Sequence, residues 1–319
     1  MSSYLKCLLV ISIYSFVYSE ARIVSFESAN PFSLKDIIIN IDNLEKQTVS
    51  GILTMPDNIE GIKVPLVIGV AGSKGWGEHH HKYLNMYQNM GIATLQLQSF
   101  KSRDVDSTVG TQNTVTVAMI ILDSYKALEA LSENPLIDMD NIGITGWSLG
   151  GGVSLFAGWK PVVDAINSDY SFAAHLPIYP PCFAEPETLE FVDAPIHILI
   201  GELDEWVPAE ACVDLVSLMS ANGTDIGITV YEGAHHSFDR ESDIKIATNG
   251  YSFTDCRFKM NDEGAVLMNY FNIPMTNWFT QMVGFALCAD RNPRYGGHPE
   301  SRDKSFKFAK QFMAQYLLD

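Results

Sequence analysis

The chain has 319 residues, 47% of them hydrophobic, which is enough for a substantial buried core and too apolar for a disordered protein. Its 21 basic and 38 acidic residues give a net charge of −17. No Lys/Arg cluster follows the pattern of a phosphate-tracking surface, so nucleic acid is excluded as an expected partner.

Residues 1–19 read MSSYLKCLLVISIYSFVYS, with Lys6 as their only charged side chain. A short apolar run with small residues before a cut after Ser19 is the pattern of a secretory signal. The run falls short of the roughly 18 to 20 apolar residues a spanning helix needs, and no later segment supplies them. The mature protein is therefore expected to be secreted or periplasmic, with no membrane span. Removing the signal takes Cys7 away and leaves Cys182, Cys212, Cys256 and Cys288. An even number in an exported chain points to disulfides, though four cysteines allow three connectivities. No cysteine or histidine spacing fits a metal site, and no cofactor is implied.

Along the chain, DIIINI (36–41) and VSGILTM (49–55) read as paired strands of an entry hairpin. VPLVIGVA (64–71) is a continuous apolar run that suits a strand buried on both faces. His79, His80 and His81 read as the exposed start of a helix. IATLQL (92–97) is another buried run, and 112–131 carries Val117, Ile121, Tyr125 and Leu128 on one helical face. NIGITG (141–146), FAAHLPIY (172–179), APIHILIG (194–201) and IGITVY (226–231) are further strands, with a helix over 209–219. The last helix places Ala309, Phe312, Met313 and Tyr316 on one side. Strands alternating with helices predict an α/β fold, a mostly parallel central sheet with helices on both faces. No repeat or linker divides the chain, so residues 20–319 read as one domain. The stretch of about 240–300 is too long for a simple connection and reads as an insertion packed on that domain.

Chemistry concentrates at Gly146-Trp147-Ser148-Leu149-Gly150. A strand turning abruptly into a helix puts Ser148 at the apex, where its neighbours two positions away must be nearly free of side chain. The Leu149 N–H, at the start of that helix, is a candidate oxyanion donor. A serine hydroxyl needs a base, and the base needs an acid to fix its tautomer. Both residue types follow at later strand ends. GELDEWVP (201–208) offers Glu202 and Asp204, and YEGAHHSFD (231–239) offers His235 and His236. Trp76, Trp147 and Trp206 lie within a few residues of these loops and are candidate pocket walls.

Together with QSFKSRD (98–104), these motifs resemble the dienelactone hydrolase family of α/β-hydrolases over about 36–239 and the final helix. The resemblance implies Ser148 as nucleophile, Asp204 as acid and His236, two before Phe238, as base. It implies a second oxyanion donor in the Ala71-Gly72-Ser73 loop, placed at the Ser73 N–H. Exported members of the group suggest a Cys182–Cys212 disulfide, which leaves Cys256–Cys288 to close the insertion. Serine stands where dienelactone hydrolases in the strict sense have cysteine, so the dienelactone substrate is not carried over. Gln98 also stands where relatives have aspartate.

The expected activity is hydrolysis of a small-molecule carboxylic ester or lactone through an acyl-enzyme. An amide-cleaving peptidase would use the same triad. A binding protein of the same fold would be distinguished by failing to react with a serine-directed phosphonate.

Overall fold

The computed structural model describes residues 21–57, 59 and 61–318; the expected signal, residues 1–19, lies outside them. The chain opens with β1 (Arg22–Ala29), α1 (Leu34–Asn40), β2 (Lys46–Thr54), β3 (Val64–Val70), α2 (Glu78–Gln88) and β4 (Ala93–Leu97). It continues through α3 (Val117–Leu131), β5 (Ile137–Trp147), α4 (Leu149–Phe156), α5 (Lys160–Ile166), β6 (Ala174–Ile178), β7 (Ala184–Pro186) and β8 (Ile196–Gly201). Next come α6 (Ala209–Ala221) and β9 (Ile226–Tyr231). The main sheet has the order β1-β2-β4-β3-β5-β6-β8-β9. Its first two pairings are antiparallel and every pairing from β4 to β9 is parallel. Parallel strands need crossovers, and the intervening helices cover the sheet faces. That is why β3 and β8 are apolar without alternation: Leu66, Val67, Ile68, Ile198, Leu199 and Ile200 are all buried.

The entry hairpin differs from its expectation. The partner of β2 is β1, in the register Arg22↔Leu53 to Ala29↔Lys46, and DIIINI lies mostly in α1. Three consecutive isoleucines favour a strand locally. The Ser33 N–H, however, donates to Asp36 Oδ2 at 2.8 Å and holds the first helical turn. Leu34 and Ile37, spaced by three, then bury one face while Ile39 is exposed. The helix expected from 112 starts at Val117, where Thr116 Oγ1 accepts the Met119 N–H at 3.3 Å. The histidine run does begin α2, but His79 and His80 are buried and only His81 keeps partial exposure.

After β9 the chain makes a long excursion before the final helix. It contains β10 (Lys245–Ile246), β11 (Tyr251–Ser252), β12 (Phe258–Met260), β13 (Val266–Leu267), α7 (Trp278–Ala286), β14 (Asp290–Arg291) and β15 (Arg294–Tyr295). β10 pairs with β15 and β11 with β14, while β12 pairs with β13 and, in parallel, with β7. Disulfides join Cys182 to Cys212 and Cys256 to Cys288. The excursion's neck closes on the loop after β9: the Gly296 N–H donates to His236 O at 2.9 Å and the His298 N–H to Phe238 O at 2.8 Å. α8 (Pro299–Leu317) then packs on α2, β5 and β6.

Candidate active site

Strand β5 delivers Ser148 to the sheet's C-terminal edge, and α4 begins at the next residue. The bend puts Ser148 at φ 57° and ψ −116°, a sparsely populated conformation for a residue with a side chain. The flanking glycines follow from the close approach of the backbone. A Cβ at Gly146 would lie 2.0 Å from Gly150 O, and one at Gly150 would lie 2.2 Å from Val70 O. The Ser148 N–H donates to Ile178 O at 2.9 Å, which ties the apex to the end of β6.

Two loops bring the partners. Beyond β8, buried Asp204 accepts the Trp206 and Val207 N–H groups on Oδ1, each at 2.9 Å, and faces His236 Nδ1 with Oδ2 at 2.7 Å. These three interactions fix its rotamer. Beyond β9, His236 Nε2 lies 2.9 Å from Ser148 Oγ. The histidine ring packs between Tyr179, 4.7 Å away edge-on, and Trp206, 5.1 Å away. Glu202 is turned to the surface, where Oε2 accepts the Gly233 N–H, and His235 has no contact with Ser148 among its described interactions. The arrangement suits proton transfer from a serine hydroxyl to an imidazole held in one tautomer by a buried carboxylate.

The Gly72–Gly75 loop presses against this group. A Cβ at Gly72 would meet Trp147 O at 3.0 Å and Ser148 Cβ at 3.3 Å. Ser73 is anchored by its carbonyl, which accepts from Thr108 N, and by its hydroxyl, which donates to Gln112 Oε1 at 3.1 Å. Ser73 and Leu149 line one cavity together with Ser148. Of the three tryptophans, Trp206 lines that cavity and, together with Trp147, a smaller one that also reaches Ser148. Trp76 lines neither: its indole N–H donates to Leu97 O at 3.0 Å and its ring packs against His81 and Trp147. Its position close to the loop in sequence is offset by the inward turn of its side chain.

Behind the histidine lies a second polar group that the motifs did not single out. The Tyr179 hydroxyl donates to Asp239 Oδ1 at 3.0 Å, and His79 Nε2 is 3.9 Å from the same oxygen. Burial pushes the Asp239 carboxyl up to about 6, against the opposing pull of Tyr179 and Arg240. Burial, helped by Arg240, pushes His79 down to about 2. Below pH 6 this is a contact between neutral groups. The available signal was an acid three residues after His236, within the motif YEGAHHSFD. Among the described residues no group of three His, Cys, Asp or Glu is placed to hold a metal ion.

The sheet order, the serine on its strand-to-helix bend and the two loops that meet it define the α/β-hydrolase fold. A Klebsiella pneumoniae protein described as a putative dienelactone hydrolase shares that fold over 92% of this chain and 100% of its own, at 15% identity and a TM-score of 0.57. The model of the dienelactone hydrolase family matches residues 85–280, more than half of the chain, and the protein belongs to that family. Protein usf of Aquifex pyrophilus is 30% identical over 119 residues, which is 37% of this chain and 48% of that protein. A protein of Aquifex aeolicus strain VF5 described as a putative carboxymethylenebutenolidase is 28% identical over 102 residues, 31% of this chain and 40% of its own. The chain thus spans less than half the length of these two curated relatives.

Proposed function

We propose that the protein is an exported serine hydrolase of a carboxylic ester or lactone, with residues 20–319 as one catalytic domain behind a signal of residues 1–19. The observation that carries this reading is the continuous relay Ser148 Oγ to His236 Nε2 at 2.9 Å and His236 Nδ1 to Asp204 Oδ2 at 2.7 Å. His236 takes the Ser148 proton as Oγ attacks the carbonyl carbon, and Asp204 stabilises the imidazolium that forms. The Leu149 and Ser73 N–H groups receive the developing oxyanion. His236 returns the proton to the departing alkoxide, and water, activated by the same histidine, releases the acid from Ser148. Two disulfides support an oxidising compartment, and among the described residues no helix is long and apolar enough to cross a membrane.

The test is hydrolysis of p-nitrophenyl acetate and butyrate, with a p-nitroanilide alongside, by wild type, Ser148→Ala and Asp204→Asn. Ester turnover should fall by at least about 10³-fold in Ser148→Ala and by about 10³- to 10⁴-fold in Asp204→Asn. Undiminished turnover in folded Ser148→Ala would remove the serine from the chemistry. Preferred cleavage of the anilide would move the assignment to an amidase.

A further inference from the structure

Ser148 stands at the junction of two unlike cavities. The larger, about 180 Å³, is lined by Ser148, Leu149 and Ser73 and walled by aromatic and aliphatic side chains, including Phe183, Phe253, Val266, Met275 and Phe285. Among its described lining residues none is acidic, basic or histidine. Several of its polar atoms already have partners: Gln112 Oε1 accepts from Ser73, Gln281 Nε2 donates to Gln112 O, and Thr116 is engaged with Pro31 O and the Met119 N–H. A charged group buried there would meet no side chain of opposite charge. The smaller cavity, about 20 Å³, is lined by His236, Lys74, Arg240 and Tyr295 as well as Ser148. Lys74 Nζ sits 3.9 Å from the Tyr295 ring centre.

Proton transfer assigns the two sides. The leaving oxygen must take its proton from His236 Nε2, so the alcohol half of the substrate occupies the side that His236 lines. The acyl half, bonded to Ser148 Oγ, then extends into the cavity that His236 does not line. Resting on the hydrolase reading above, we infer that the natural substrate is an open-chain ester of an uncharged, hydrophobic acid of about six to eight carbons, linked to a polar alcohol. The size follows from comparison with apolar cavities of about 150 Å³, which hold a benzene-sized guest. A small lactone, whose two ends are tied together, cannot send its acyl part to one cavity and its oxygen-bearing part to the other. An acid with a second carboxylate would lose its hydration in the larger cavity without a cation to replace it.

The assignment is tested with a p-nitrophenyl ester series from acetyl to dodecanoyl plus the anionic hemisuccinate. Wild type, Val266→Phe and Phe285→Ala are compared, each normalised to active sites titrated with a phosphonate. In wild type, kcat/KM should rise about 3- to 4-fold per methylene up to hexanoyl or octanoyl and then fall, with the hemisuccinate well below butyrate. Val266→Phe should move the optimum to shorter chains and Phe285→Ala to longer ones. Ser148-dependent turnover that is flat with chain length, or highest for the hemisuccinate, overturns the acyl assignment and leaves the hydrolase reading standing. Absence of Ser148-dependent turnover with every ester removes that reading and the inference with it. An unmoved optimum in both phosphonate-reactive variants overturns the placement of the acyl chain.

Discussion

Asp239 is a buried side chain whose ionisation makes stability depend on pH between about 4 and 6. Its buried carboxyl is raised to about 6, so its contribution is fully present below the unfolded value near 4 and is lost as pH rises through about 6. Above that the folded protein carries a buried charge that the unfolded chain would hydrate, a cost of about 2 to 3 kcal/mol. Asp239→Asn keeps an acceptor for the Tyr179 hydroxyl and removes the charge. Urea midpoints should therefore show the variant gaining on wild type between pH 4.5 and pH 8, and a constant difference across that range would refute the assignment. At this same scale the sequence was most and least readable. Ser148 is marked by two glycines that no side chain could replace, and Asp204 and His236 are marked by their place at strand ends. Asp239 and Tyr179 have no spacing of their own, because what brings them together is packing between two distant loops.

At the scale of elements, apolar runs buried on both faces were legible as strands because nothing in their surroundings competes with that pattern. DIIINI was not, because one cap between Ser33 and Asp36 outweighs three β-branched residues. The long excursion was visible as excess length, but its short paired strands have too few residues for a hydrophobic period to register. It is closed on itself by Cys256–Cys288, which spans 32 residues, while β12 on β7 and the Phe253 N–H to Trp206 O tie it to the body. In chain-entropy terms a loop of that size is worth about 3 to 4 kcal/mol. The double variant Cys256→Ser/Cys288→Ser should open the excursion locally, with limited proteolysis cutting first within 240–295 while the main sheet stays protected. Cleavage at wild-type rate in that region would show that packing alone holds it.

Over the whole molecule, a net charge of −17 sets a negative field against which Lys74 and Arg240 stand beside the serine as a local exception. Their reach in physiological salt is about 8 Å, whereas the summed field extends furthest when salt is low. Raising ionic strength from 0.02 to 0.5 M should therefore leave kcat/KM for a neutral ester unchanged and raise it for an anionic ester by about 2- to 10-fold. A fall for the anionic ester would mean that the two cations govern approach as well as contact.

The neck at His236, Phe238, Gly296 and His298 has a consequence for ancestry. Because the excursion leaves and rejoins the body at one place, a replacement spliced there need not rethread the main sheet or displace α8, and has only the β7 edge to re-cover. Ser148, Asp204 and His236 belong to the frame on one side of that neck, and part of the apolar wall of the larger cavity, from Phe253 to Phe285, belongs to the other. A lineage carrying such a junction can reshape that cavity by exchanging one stretch of gene while the Ser148, Asp204 and His236 frame is inherited intact.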